Sequence, residues 1–284
     1  MSTRALCQAV GMSRQNHYKQ IKARTRREID EELIVQLVKK ERMLQSEIGA
    51  RKLRIILAPI LTDAGVTIGR DRFFEVMRGA DLLIRRRRRR APRTTDSQHA
   101  FRTYTNLFKS LEITGPHQAW VCDLTYVRTD EAFVYLSLIT DAWSRKVVGW
   151  HVGDNLEAIG CMQALKRAIR QLPVNCHVVH HSDRGSQYCC LAYVEMLRAR
   201  GLTISMTEDN HCYENAMAER LNGILKQEYG LGATFRNTKH ALQAVKQAVH
   251  QYNIRRPHTA LAYQTPEQVH AGLGTTVTLK KSQT

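Results

Sequence analysis

Six consecutive arginines, Arg85, Arg86, Arg87, Arg88, Arg89 and Arg90, constrain this chain more than any other feature. Six like charges in a row repel one another and cannot share a core, so they mark a linker or arm between separately folded bodies. With domains of about 100 to 150 residues as the usual size, 284 residues leave ample chain on either side. The expected division is a helical region over 1–84, a basic linker over 85–112, a larger domain over 113–275 and a tail over 276–284.

The charge is distributed unevenly across that division. Residues 1–95 hold 23 Lys and Arg against 10 Asp and Glu, a net +13, and residues 96–284 carry only +4. A concentrated positive field suits a polyanion, because each cation set against a phosphate releases condensed counterions. A merely solvated basic surface is the plainer reading of the same numbers. With 43% hydrophobic and 24% charged residues the chain has a globular balance. No apolar run approaches the roughly 20 residues of a membrane helix, and no secretory leader opens the chain, so the cytosol is the expected location. Seven cysteines, odd in number and without a C-x-x-C pair, are read as reduced thiols. Cys189 and Cys190 near His180 and His181 lack the ligand spacing of structural zinc sites.

In the first region, residues 5–19 read as a short helix, a turn at Gly11 and a second helix capped by Ser13, which is helix-turn-helix spacing. Leu6, Val10 and Met12 are expected to face inward, which leaves Arg14 and Gln15 at the start of the second helix, where base edges would be met. A separate amphipathic helix is expected over 30–44, with Leu33, Ile34, Leu37 and Val38 on one stripe. A second helix-turn-helix candidate follows, with one helix from Gly49 to Ile60, a turn at Asp63-Ala-Gly and another helix over about 70–79 that would offer Arg70 and Arg72.

From Trp120 the pattern changes to strands. Runs over 120–127, 133–140 and 147–152 with short turns between them predict an antiparallel meander. A helix (156–171), a strand (177–181), a helix (about 187–199), a strand (202–206) and helices near 215–229 and 239–252 complete the order β-β-β-α-β-α-β-α. That order predicts an α/β, RNase H-like fold: a mixed sheet covered by helices, preceded here by an all-α helix-turn-helix region.

Three acids in this region have positions suited to metal-assisted phosphoryl transfer, which needs several carboxylates gathered around hard cations. Asp123 lies inside the apolar strand Val121-Cys-Asp-Leu-Thr-Tyr-Val, where an unpaired carboxylate is costly. Asp183 follows the apolar run Cys176-His-Val-Val-His-His-Ser, and Glu219 lies early in a helix, 35 intervening residues later. Each has a plainer reading alone: a strand acid paired with an arginine, a turn residue before Gly185, a solvated helix acid. Ser186 sits where a helix N-cap belongs, without the G-x-S-x-G elbow of a hydrolase nucleophile. Lys226 falls two helical turns after Glu219 on the same face.

The 35-residue spacing and the strings Asp183-Arg-Gly-Ser-Gln-Tyr, Glu214-Asn-Ala-Met-Ala-Glu-Arg and Tyr252-Asn-Ile-Arg-Arg-Pro-His resemble the second-frame (OrfB) transposases of the insertion-sequence-three family, relatives of retroviral integrases. Gly49-Ala-Arg-Lys-Leu, Trp120-Val-Cys-Asp-Leu-Thr-Tyr and Asp141-Ala-Trp-Ser-Arg extend the resemblance over nearly the whole chain. It implies an integrase-like core in which Asp123, Asp183 and Glu219 are the catalytic, metal-holding triad for two Mg²⁺ ions, with Mn²⁺ as a substitute, and in which Lys226 holds a phosphate. The implied activity is cleavage and strand transfer of DNA, on element ends and target, by a homo-oligomer. An upstream first-frame helix-turn-helix protein, often fused by frameshifting, is the implied partner. The sequence departs from the family where Asp-Asn-Ala appears as Glu214-Asn-Ala. Two rival readings are a DNA-binding regulator with an inactive core and a host nuclease that cuts RNA–DNA hybrids.

Overall fold

The computed structural model describes residues 2–84, 100–174, 176–208 and 215–273. Arg85 to Arg90 and Glu214, singled out above, lie outside the described residues. The chain divides into two compact units, Met1–Leu44 with Ile48–Arg85, and Gln45–Glu47 with Arg86–Thr284.

The first unit is helical: α1 (Thr3–Ala9), α2 (Arg14–Arg42), α3 (Ala50–Asp63) and α4 (Arg70–Gly79). Ile34 and Val38 of α2, Leu53, Leu57 and Leu61 of α3, and Phe73 and Met77 of α4 form its core. The expected break between residues 19 and 30 is absent, and a single 29-residue helix runs through. No Gly or Pro stops it there, and the i,i+4 pairs Arg24–Glu28 (2.9 Å) and Arg26–Asp30 (3.0 Å) stitch the polar stretch. A second correction concerns α1, whose buried residue is Cys7, whereas Leu6 and Val10 are 49% and 71% exposed. With only seven residues, α1 has a single inward turn, and Cys7 occupies it.

The second unit is built on a sheet of β1 (Ala119–Thr129), β2 (Phe133–Asp141), β3 (Val147–Gly153), β4 (Val179–Ser182), β5 (Thr203–Met206) and β6 (Thr234–Phe235). Its strand order is β3-β2-β1-β4-β5, with β6 pairing β1. The first three strands are an antiparallel meander, and β4 and β5 add in parallel, as the order of elements predicts. Helices α5 (Ala158–Ile169), α6 (Ser186–Cys189), α7 (Leu191–Ala199), α8 (Ala216–Glu228), α9 (Thr238–Arg255) and α10 (Pro266–His270) complete the unit. The single helix expected over 187–199 is two helices parted at Cys190, whose backbone is extended.

Alternation along the strands sends side chains to two cores. Trp120, Cys122, Ile139 and Val148 pack with Cys161 and Leu165 of α5 and Tyr193 and Leu197 of α7. Val127, Val134, Leu136 and Leu138 pack with Leu221 and Leu225 of α8 and Val245, Val249 and Tyr252 of α9. Gly149 lets α5 approach β3, since a Cβ there would run into the Ala164 carbonyl and lie 2.9 Å from the Ala168 methyl.

Two of the motifs noted above hold this frame together. Asn253 Oδ1 accepts from Val147 N (2.9 Å) and its Nδ2 donates to Val147 O (3.0 Å), while Tyr252 Oη donates to Arg145 O (3.1 Å). Arg256, 2% exposed, donates two parallel bonds to Glu228 at 2.7 and 2.8 Å. At the end of β2, the buried Asp141 accepts from His117 N, Ser144 N and Ser144 Oγ, each at 2.7 Å. Burial pushes the Asp141 carboxyl up, but His270, Ser144 and the His117 backbone outweigh it and hold the group below the usual carboxylate range. Asp141 is therefore a satisfied structural anion.

Candidate active site at the edge of strand β1

The central strand leaves part of one edge available. On that side β1 pairs with β4 over Ala119–Val121 and with β6 over Arg128–Thr129. Among the described residues no strand pairs with it there between Cys122 and Val127. Asn215, which caps α8, donates its Nδ2 to Cys122 O (3.0 Å) and fixes the start of that helix against the strand.

Asp123 lies on this edge. Its Oδ1 accepts from Leu124 N (2.9 Å) and its Oδ2 from Asn222 Nδ2 of α8 (2.5 Å). Its carboxyl is pushed up to about 7, first by burial, then by the charge of Asp183 and, more weakly, of Glu219. The Leu124 N–H and the Asn222 amide work in the opposite direction. Asp183 stands just past the end of β4, and its Oδ1 accepts from Gly185 N (3.0 Å). A Cβ at Gly185 would stand 2.9 Å from Gln187 Oε1 and 3.1 Å from Asp183 Oδ1, so a side chain there would displace the Gln187 amide and crowd the Asp183 carboxylate. Gly185, not Ser186, is the N-cap of α6. Glu219 is exposed in the first turn of α8.

The fold thus brings residues 123, 183 and 219, remote in sequence, close enough for their charges to act on Asp123. Among the described residues no group of three or more His, Cys, Asp or Glu side chains is placed to hold a metal ion. The strongest link is between Asp123 and Asp183, with Glu219 the looser member. The three acids offer oxygen donors only, the ligand type that hard divalent cations prefer. Lys226 lies at the same edge, its Nζ 4.1 Å from the centroid of the Tyr126 ring. Burial lowers the Lys226 amine from its ordinary value, and the charge of Asp123 opposes that.

Sequence reasoning missed Asn215, Asn222 and Tyr126. The signal for Asn222 was available, since positions 219, 222 and 226 share one helix face. The buried layer beneath the site also escaped notice. His180 Nε2 lies 2.9 Å from Cys122 Sγ and 2.8 Å from Tyr193 Oη, and burial, with His181 beside it, lowers its pKa to about 3.

Of the remaining candidates, Arg14 and Gln15 are exposed at the start of α2, behind the Ser13 side chain that accepts from Asn16 N (3.1 Å). Arg70 is paired with Asp71 (2.8 Å). Arg72 is bound to Glu75 (2.8 Å) and to Glu31, so its guanidinium already has carboxylate partners.

A family model described as an integrase core domain matches residues 113–212, and another of the same description matches 200–266. The chain is 32% identical over 266 residues to the insertion element IS600 uncharacterized 31 kDa protein of Shigella sonnei, covering 92% of this chain and 96% of that one. It is 34% identical over 222 residues to the transposase for insertion sequence element IS629 of Shigella sonnei, covering 78% and 72%. It is also 37% identical over 157 residues to the transposase InsF for insertion sequence IS3A of Escherichia coli (strain K12), covering 54% of each.

Proposed function

Since the chain belongs to the insertion-sequence-three family of transposases, we propose that it cuts and joins DNA strands at the edge of β1, with Asp123, Asp183 and Glu219 as its catalytic carboxylates. DNA transposition is its activity, and the integrase core is the part that carries it. The observation that supports this placement is that Asp123, pushed up to about 7 first by burial, also feels the charges of Asp183 and, more weakly, Glu219.

Asp123, Asp183 and Glu219 would hold two Mg²⁺ ions, or Mn²⁺ in their place, which supply charge to offset the attacking and leaving oxygens of the phosphodiester. The side chains around them have separate tasks. Asn222 fixes the orientation of the Asp123 carboxylate, and Asn215 fixes α8 against β1 so that Glu219 and Lys226 are presented to the same edge. Lys226 would take a phosphate oxygen of the strand. Water and then a DNA 3′-hydroxyl would serve as in-line nucleophiles, and no protein nucleophile is needed.

The helical unit and the arginines from Arg85 to Arg90 would bind DNA, with Arg14 and Gln15 free to reach base edges and Arg70 and Arg72 able to do so only by exchanging their acid partners. The expected assembly is a homo-oligomer on element ends and target at the bacterial nucleoid, with an upstream first-frame protein as a further partner. Among the described residues no helix is long and apolar enough to cross a membrane. The test is Asp183→Asn. It should abolish cleavage and joining of end DNA in Mg²⁺ while leaving DNA affinity within about twofold, because phosphate contacts lie on other residues. Cleavage retained in Mg²⁺ would remove Asp183 from the site.

A further inference from the structure

A row of alternating cations and aromatic rings leads away from the carboxylates. Lys226 Nζ sits 4.1 Å from the Tyr126 ring, the Tyr126 and Phe133 rings meet edge to face at 5.2 Å and 82°, and the Arg128 guanidinium carbon lies 5.5 Å from the Phe133 ring. The hairpin of β1 and β2 builds this row, since Tyr126 and Arg128 share the face of β1 opposite to Asp123 and Arg128 is the register partner of Phe133; Lys226, which also feels the Asp123 charge, joins the row to the carboxylates at the open edge of β1. We propose that the row Lys226, Tyr126, Phe133 and Arg128 seats about two unpaired nucleotides of a DNA strand whose neighbouring phosphodiester lies at Asp123 and Asp183. The proposal rests on the β1 edge being the cutting site.

Core packing does not account for Phe133. It is 44% exposed, whereas Ser137 and Ile139, further along the same face of β2, are each 2% exposed. An exposed ring beside an exposed guanidinium offers two flat surfaces to a base, and the ammonium and guanidinium of the row complement phosphates. The charge gradient also fits. The negative carboxylates end at Lys226, the row itself carries only positive charge, and the turn after it brings Asp130 and Glu131, which bound its length. Bases in a duplex are stacked on one another and cannot lie against a side-chain ring, so the row selects strands that are already unpaired.

The test uses the full chain in metal-free buffer and two labelled duplexes of equal length, one blunt and one ending in two unpaired nucleotides, with 2-aminopurine at the unpaired position. Wild type should bind the unpaired end about tenfold more tightly and quench the fluorophore on stacking. Phe133→Leu keeps an apolar side chain but no ring, and should reduce the preference to within twofold and abolish the quench. Its affinity for blunt duplex should be unchanged, and Phe133→Trp should restore the preference. A wild type without preference, or a Phe133→Leu protein that keeps both preference and quench, overturns the proposal. Asp183→Asn, assayed for cleavage separately in Mg²⁺, distinguishes this from the cutting-site reading: it should retain the preference while losing cleavage, and an Asp183→Asn protein that still cuts would overturn the placement of the phosphodiester at Asp183 even if the seating of unpaired bases at Phe133 stood.

Discussion

Asp123 and Asp141 are carboxylates on neighbouring strands of one sheet, yet their surroundings push them in opposite directions. Asp141 collects three hydrogen bonds from N–H and O–H donors at 2.7 Å and lies near His270, which together overcome its burial. Asp123 receives two such bonds, but burial and, after it, the charges of Asp183 and Glu219 push it up to about 7. Burial raises both, so burial alone does not separate them. What acts beside it does: converging donors outweigh it at Asp141, and like charge adds to it at Asp123.

The largest expected effect lies at the Asp123 end. Asp123→Asn and Glu219→Gln should each lower strand cleavage on the order of 10³-fold or more, and the double variant should fall little further, because a disabled carboxylate set is not disabled twice. A steady-state cleavage assay in Mg²⁺ gives both numbers, and additive losses would separate the two residues functionally.

Next in size is the frame that supports both carboxylates. Arg256→Ala leaves the half-buried Glu228 without its bidentate partner and should cost about 3 kcal/mol of unfolding free energy, read from denaturant midpoints. Asp141→Asn should cost about 2–3 kcal/mol, since an amide cannot accept from all the donors that converge there. At pH 8 in metal-free buffer Asp123→Asn should have the opposite sign, raising the midpoint by removing a charge that its neighbours oppose. Equal destabilisation by the two Asp→Asn variants would collapse the comparison.

The smallest effect is the pH slope. Asp123 has a folded pKa above its unfolded value, so its contribution to stability is complete below about 4 and is lost as pH rises through about 7. His180 is depressed to about 3, so the unfolded chain takes its proton first, and stability falls as pH drops below about 6.5 toward 3. Between about pH 4 and 6.5 the two slopes oppose each other. Asp123→Asn should therefore steepen the acid loss, and an unchanged profile would show that Asp123 does not titrate in that window.

Much of this architecture was legible because the sheet's strands are apolar runs with clear turns, and the register of β1 with β2 follows from them. The two-residue β6 and the five-residue α10 were missed, being too short to show a period, although Thr265-Pro266 is a readable helix start that forms a capping box in the structure. The length of α2 was missed because its middle is polar on all sides and held by ion pairs rather than by an apolar stripe. In the candidate site, spacing was enough to single out the three carboxylates for comparison. Asn215 was not, because its bond to the Cys122 carbonyl depends on where α8 meets the sheet. Asp141 could be recognised as part of a motif, but its structural role rests on Ser144, His117 and His270 converging from distant segments.

The most direct measurement replaces the expected ions with Fe²⁺ and maps where radicals generated at the bound ion cut the polypeptide. The account predicts cuts clustered near residues 123, 183 and 219, suppressed by excess Mg²⁺ and lost in Asp123→Asn and Asp183→Asn. Cuts clustered instead around Asp141, Ser144 and His270, or a pattern indifferent to Asp123 and Asp183, would contradict it.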